Sequence, residues 1–181
     1  LGIVLLVSLQ HGSYALAGAL SATEALSNAA IGPQVARLVD RLGQGRVMPW
    51  MTVVLSTAVT AFVVLVHTDA PALLLFLTVG IAGASTPNTG AFVRTRWAYL
   101  LAGRPLQLRT AFAWESVLDE VVFILGPPLA TLLALSVKDY STLVLCVVLT
   151  IVGTFLLVPQ RATETPPNRG QTEGDWVMRY A

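Results

Sequence analysis

A chain of 181 residues that is 55% hydrophobic and only 12% charged is not an ordinary soluble domain, which carries about a quarter charged residues. Its apolar residues come in blocks too long and too uniform for a core that a chain of this length could build, so an integral membrane protein is the class that remains. The net charge of +1 says little about partners because its distribution matters more than its sum, and a single cysteine excludes a disulfide framework.

The first apolar block, residues 1–9, is about half the length that crosses a bilayer as a helix. No basic segment precedes it and no cleavage site follows, so it is read as the remnant of a first helix rather than a secretory signal. Gln10 to Ser13 breaks it from a second span at residues 14–38. A third span covers 47–66, and a short turn from His67 to Pro71 leads to a fourth at 72–93. A basic loop over 94–109 precedes a fifth span at 110–135, and a turn from Ser136 to Tyr140 precedes a sixth at 141–158. The remaining residues, 159–181, are polar and proline-bearing. Arg37, Arg41 and Arg46, then Arg94, Arg96, Arg104 and Arg109, then Arg161, Arg169 and Arg179 all fall on one side, and only Lys138 falls on the other. That asymmetry orients the arginine loops toward the cytoplasm. Trp50, Trp97 and Trp114 fall near the same boundary, while Trp176 is in the tail. His11 and His67 are expected at the opposite face as interfacial residues without a neighbouring ligand. Cys146 is expected to be a buried, inert thiol.

Spans three and six contain no ionisable residue and can face lipid all round. Spans two and five hold four carboxylates, Glu24, Glu115, Asp119 and Glu120, whose cost in hydrocarbon demands protein or water beside them. On span two, Ser21, Glu24, Asn28 and Gly32 recur at helical spacing as one small, polar stripe. It suits either helix packing or a cavity-lining proton or solute site. On span five, Glu115 and Asp119 share a face, and Glu120 is rotated by about 100° from it. Two carboxylates on one face repel unless a cation or proton intervenes. Arg94 and Arg96 are the nearest candidates for an ion pair, and a coupling role is the alternative. Gly80, Gly83 and Gly90 on span four allow close helix approach, and Pro87 bends that helix. Gly126 and Pro127 follow the carboxylates on span five.

The turn between spans two and three holds a dense motif: Ala36, Leu38, Asp40, Arg41, Gly43 and Arg46. Asp40 is placed to cap a helix start or to bind neighbouring arginines, and Gly43 and Gly45 to permit a tight reversal. The pattern resembles the loop signature between the second and third helices of the major facilitator superfamily, with Ala36 where that family usually has glycine. Gln44 and Gly45 replace two basic residues. The resemblance extends over residues 1–160. It implies an all-α polytopic bundle that forms half of a twelve-helix transporter, with solute bound between two halves near the midplane. It also implies that the third and sixth helices are peripheral, that the second and fifth line the join, and that the motif loop acts as a conformation-dependent latch. Gly126 with Pro127 resembles part of the family's antiporter signature. The arginine that the family often places inside its fourth helix is absent; the first arginine there is Arg94.

On this reading residues 1–12 are a truncated first helix, 13–159 carry helices two to six, and 160–181 begin a central cytoplasmic loop. The expected function is secondary active transport of a small solute by alternating access, with proton-coupled efflux of a drug or metabolite as its finer form. A non-transporting membrane scaffold or sensor on the same helices is the alternative. No nucleophile–base set, metal-ligand spacing or phosphate loop is present, so neither catalysis nor a cofactor or metal is expected. The expected partners are the lipid bilayer of a plasma (inner) membrane, a small-molecule solute and a missing C-terminal six-helix half, with no nucleic acid.

Overall fold

The computed structural model describes residues 1–164; Arg169, Trp176 and Arg179 therefore lie outside the described residues. Among those residues the chain is all-α and has no strand. The helices are α1 (Gly2–His11), α2 (Tyr14–Leu42), α3 (Gln44–His67), α4 (Ala72–Ala84), α5 (Thr89–Leu100), α6 (Pro105–Ser136) and α7 (Ser141–Leu157). A short 3-10 turn, Arg161–Thr163, follows α7. Three stretches are long and apolar enough to cross a membrane: α3, the α4–α5 pair taken together, and α6. α2 is longer than α3, but its polar stripe dilutes its hydropathy, and α7 with 17 residues is at the short limit of a span.

Local chemistry sets where each helix starts and stops. Ser13 caps α2 by accepting the Leu16 N–H at 3.2 Å. Gly43 separates α2 from α3 at φ +89°, a conformation a side chain resists. Gly45, expected to share in that reversal, instead belongs to the first turn of α3. Span four is not one continuous helix. α4 stops at Ala84, residues 85–88 are irregular, and Asn88 caps α5 by accepting the Ala91 N–H at 3.1 Å. Pro87 explains the break: it donates no N–H, and its ring disfavours helical geometry in the residue before it. The expected basic loop is also largely helical, since Arg94 and Arg96 are on α5, Arg109 is on α6, and only 101–104 connect them.

Two apolar clusters hold the bundle. One joins Leu6 and Val7 of α1, Leu20 of α2, Phe62 and Val66 of α3, Val79 of α4 and Leu143 of α7. The other, near the α2–α3 turn, joins Val39, Val47, Met48, Met51 and Phe92. Lipid is as apolar as these side chains, so within a bilayer the clusters hold the helices together by close van der Waals packing. The chain reversals alternate between two ends. One end, here the arginine end, holds the α2–α3 turn, the α5–α6 loop and the end of α7. The other, the histidine end, holds His11, His67 and the α6–α7 turn.

The reading that span three can face lipid all round is overturned. α3 buries Val47, Met48, Met51, Thr52, Ala58, Phe62 and Val66 against α4, α7 and α1. Its lack of charge reflected a protein interior as much as a lipid face. Thr52 and Thr154 share a buried hydrogen bond of 2.7 Å between α3 and α7, and Thr142 Oγ1 donates to the Ala130 carbonyl at 2.7 Å between α7 and α6. Span six thus turns its threonines inward and presents Val144, Val148, Leu149 and Phe155 outward. Cys146 is exposed, not buried, although its spacing from Thr142 and Leu143 puts it near their face of the helix.

Candidate functional site

The break in span four positions the charged residues. Freed from α4 at residues 85–88, α5 redirects toward α6 on one side and toward the ends of α3 and α7 on the other. Arg94 and Arg96 are two residues apart, so their side chains leave the helix about 200° apart. Arg94 meets the span-five carboxylates. Its Nε lies 3.3 Å from Glu115 Oε2, and its Nη2 donates to Asp119 Oδ2 at 3.0 Å. One guanidinium therefore bridges both acids, which helical spacing of four residues had put on one face. The Glu115 contact is ionic but poorly aligned: Oε2 is buried and accepts no hydrogen bond. The Glu115 side chain is 12% exposed and that of Asp119 is 65% exposed, so the first depends far more on its cation. Glu120 projects elsewhere on α6, exposed and without an ionic partner among the described residues.

Arg96 does not join these carboxylates. It is buried, and its contacts gather four segments at the arginine end. Its Nε donates to Gln44 Oε1 at 2.8 Å, and its Nη1 faces the Leu157 carbonyl at 3.1 Å, the Gln160 carbonyl at 3.2 Å and Thr163 Oγ1 at 3.0 Å. Gln44 Nε2 in turn donates to the Phe92 carbonyl at 3.5 Å. Glu164 completes the cluster by accepting the Gly45 N–H at 2.8 Å, where it caps the start of α3. Asp40, expected in that capping role, is exposed on α2 and makes no hydrogen bond or ion pair among the described residues. Arg41 and Arg46 are exposed as well. Within the loop motif, then, the contacts come from Gly43, Gln44 and Gly45. Gln44 and Gly45 are the two positions where the family pattern has basic residues. That departure was the one available sequence signal for this cluster; Thr163 and Glu164 carried none.

On α2 the polar stripe lies along the seam with α4. A side chain built at Gly83 would collide with the Glu24 carbonyl oxygen and approach its carbonyl carbon to 3.0 Å, and one built at Gly80 would meet Ser27 Oγ at 3.5 Å. The two helices touch backbone to backbone at Glu24. Glu24 and Asn28 are half-buried there, and Ser21 Oγ is buried without a partner. Gly90 and Gly126 are different: a side chain at Gly90 would meet only Asn88 Oδ1 at 3.9 Å, and one at Gly126 nothing within 4 Å. Pro87 is buried at the break, while Pro127 is exposed inside a continuous α6, its carbonyl accepting from Thr131 Oγ1 at 2.9 Å.

An open groove of about 740 Å³ lies between α2, α3 and the end of α4, lined by Leu38, Leu42, Arg46, Trp50, Val54 and Ser85. Its lining is mostly apolar and contains none of Glu24, Glu115, Asp119 and Glu120. No cluster of three metal-ligating side chains occurs among the described residues.

The sequence profile described as Major Facilitator Superfamily matches residues 1–177. Searches among curated proteins and among solved structures give no match. The profile spans almost the whole chain, and the helix order, the motif between α2 and α3 and the apolar spans agree with it. The chain belongs to the Major Facilitator Superfamily, whose members are secondary transporters of small solutes and not enzymes.

Proposed function

We propose that this chain forms one six-helix half of a solute transporter that works by alternating access, and that α6 lines the join with a second half. The observation that carries this is the exposure of α6. Among the described residues it buries only Ala134, and Asp119 and Glu120 lie uncovered on it within a span. Carboxylates at such positions are too costly to leave against hydrocarbon, so protein or water must cover them. A scaffold that does not transport has no need of an uncovered acidic helix. The arginine end, by the positive-inside rule, lies in the cytoplasm of a plasma membrane. Residues 160–164 then lead into a central cytoplasmic loop, and the Arg96–Gln44–Glu164 cluster acts as the latch of the motif loop. Export of a drug-like or metabolite solute, with Glu115 and Asp119 exchanging a proton, fits a bridging arginine that can neutralise only one of two acids.

Proteoliposomes holding this chain alone should extrude ethidium, a drug-like probe, no faster than protein-free vesicles. Flux through the isolated chain would overturn the half-transporter reading. In the protein with both halves, Arg94→Gln and Asp119→Asn should behave differently. Arg94→Gln leaves the largely buried Glu115 without its cation and should reduce the amount of folded protein recovered from membranes. Asp119→Asn, at a mostly exposed position, should leave recovery intact and abolish the dependence of ethidium export on a pH gradient. Gradient-dependent export that survives Asp119→Asn rules out the coupling role.

A further inference from the structure

The histidine end carries a histidine–aspartate contact that the transport chemistry does not use. His67 ends α3, and its two ring nitrogens face two acceptors. Nδ1 is 2.8 Å from the Val63 carbonyl oxygen, and Nε2 is 3.4 Å from Asp139 Oδ2 in the α6–α7 turn. A carbonyl oxygen can only accept, so Nδ1 must carry a hydrogen. A neutral ring with its hydrogen on Nδ1 would turn the bare lone pair of Nε2 toward a carboxylate oxygen, acceptor against acceptor. The Nε2 contact is a close approach and not an aligned hydrogen bond, so it is attractive only when the ring carries a second proton. Asp139 is held in place by two donors of its own. Its Oδ2 accepts from Gln10 Nε2 of α1 at 2.6 Å, and its Oδ1 accepts the Tyr140 N–H at 3.0 Å. The Tyr140 ring meets the His67 ring edge-on at a centroid distance of 5.6 Å.

We propose that His67 is a proton-binding site at the histidine end, and that its bound proton clasps the ends of α1 and α3 to the α6–α7 turn through Asp139. Loss of the proton turns the ring nitrogen's lone pair toward Asp139 and replaces attraction with repulsion, so the turn loosens. Asp139 and Tyr140 face the ring from the α6–α7 turn, with Lys138 beside them in sequence. The remaining ionisable groups at this end are His11 of α1 and Asp69 of the α3–α4 turn, which face each other at 3.7 Å. Asp69 is almost fully exposed, so this second pair is the weaker tie. The His67 contacts lie within one half and require neither a solute nor a second half.

The chain has two histidines, which makes the test direct. In the full chain in lipid nanodiscs, ring nitrogen resonances of 15N-labelled histidine are followed from pH of about 8 to about 5, the range in which histidine side chains ordinarily titrate. A His11→Gln sample identifies which signals belong to His67. Amide exchange of residues 137–141 is measured over the same range and corrected for its intrinsic pH dependence. Both His67 nitrogens should gain hydrogens on the acid side, and the turn amides should slow by about threefold to fivefold together with that change. His67→Gln and Asp139→Asn should each remove the slowing, and His11→Gln should leave it. The proposal is overturned if the unmodified chain keeps a singly protonated His67 ring at the acid limit, if ring protonation and turn protection are uncoupled, or if the slowing survives His67→Gln.

Discussion

Replacing Arg96 with leucine should destabilise the bundle by on the order of 3 kcal/mol, in the upper range for a single substitution. Leucine would occupy a site that is 4% exposed, so bulk apolar volume is retained. What is lost is a donor set that no other side chain in the cluster supplies. Gln44 Oε1, the Leu157 and Gln160 carbonyls and Thr163 Oγ1 would all lose their guanidinium contact at once. A buried acceptor left without a donor costs about 1–3 kcal/mol; Gln44 Oε1 is left so, whereas the Leu157 and Gln160 carbonyls keep the Gln160 and Thr163 N–H donors, which holds the sum below the total. Arg96→Lys should recover little. An ammonium on a flexible stem cannot reach forward to Gln44 and sideways to two carbonyls, which a planar fork does. Glu164→Gln should cost less, since it weakens one cap on α3 and leaves the guanidinium contacts in place. Unfolding of the detergent-solubilised chain, followed by circular dichroism, reads all three. A leucine variant within about 0.5 kcal/mol of the unsubstituted protein would show that the cluster contributes no stability.

How much of this was legible in the sequence depends on what kind of atom does the work. The spans of α2, α3, α6 and α7 could be read because apolar blocks of near-membrane length are interrupted by charged or proline-bearing turns. The pairing of Arg94 with span five could be proposed because Glu115 and Asp119 fall one helical turn apart and Arg94 lies at the same end. The destination of Arg96 could not. Most of its partners are backbone carbonyls and residues beyond the last helix, which have no compositional signature. Its departure from Arg94 also depends on α5 being helical, and that followed from the break at residues 85–88. Pro87 announced a bend, but a bend and a full interruption differ in whether the residues after the proline regain helical bonds, and the Thr89 N–H donates to the Pro87 carbonyl instead. The burial of α3 was hidden for a different reason. Lipid and protein interior are equally apolar, so the absence of charge on span three distinguished neither. The exposed position of Cys146 was unreadable on the same grounds. Glycine shows the ambiguity from the other side. Gly80, Gly83, Gly90 and Gly126 look alike as letters, and only the path of the neighbouring helix separates the two that meet α2 from the two that meet almost nothing.

That separation gives a second large effect, Gly83→Ala. The added methyl group would run into the backbone of Glu24, and a backbone cannot step aside as a flexible side chain can. α4 must then move away from α2 or tilt across it. Overpacking of this kind costs about 1–3 kcal/mol, and a larger residue such as leucine should cost more. The displacement would not remain local. Residues 85–88 begin just beyond the crossing, and α5, which starts at Thr89, takes its direction from them. A tilt of α4 would therefore be carried to Arg94 and Arg96, stretching the bridge to Glu115 and Asp119 and the contacts to Gln44. Gly126→Ala is the matched control. Nothing lies within 4 Å of the added methyl there, and alanine is preferred to glycine inside a helix by about 1 kcal/mol, so its unfolding midpoint should hold or rise. Gly80→Ala should fall between the two, because its nearest neighbour is the Ser27 hydroxyl, at ordinary contact distance. The order Gly83 below Gly80 below Gly126 in the midpoint of thermal unfolding is the expected result. Equal midpoints for the Gly83 and Gly126 variants would mean that α2 and α4 do not cross with their backbones in contact at Glu24.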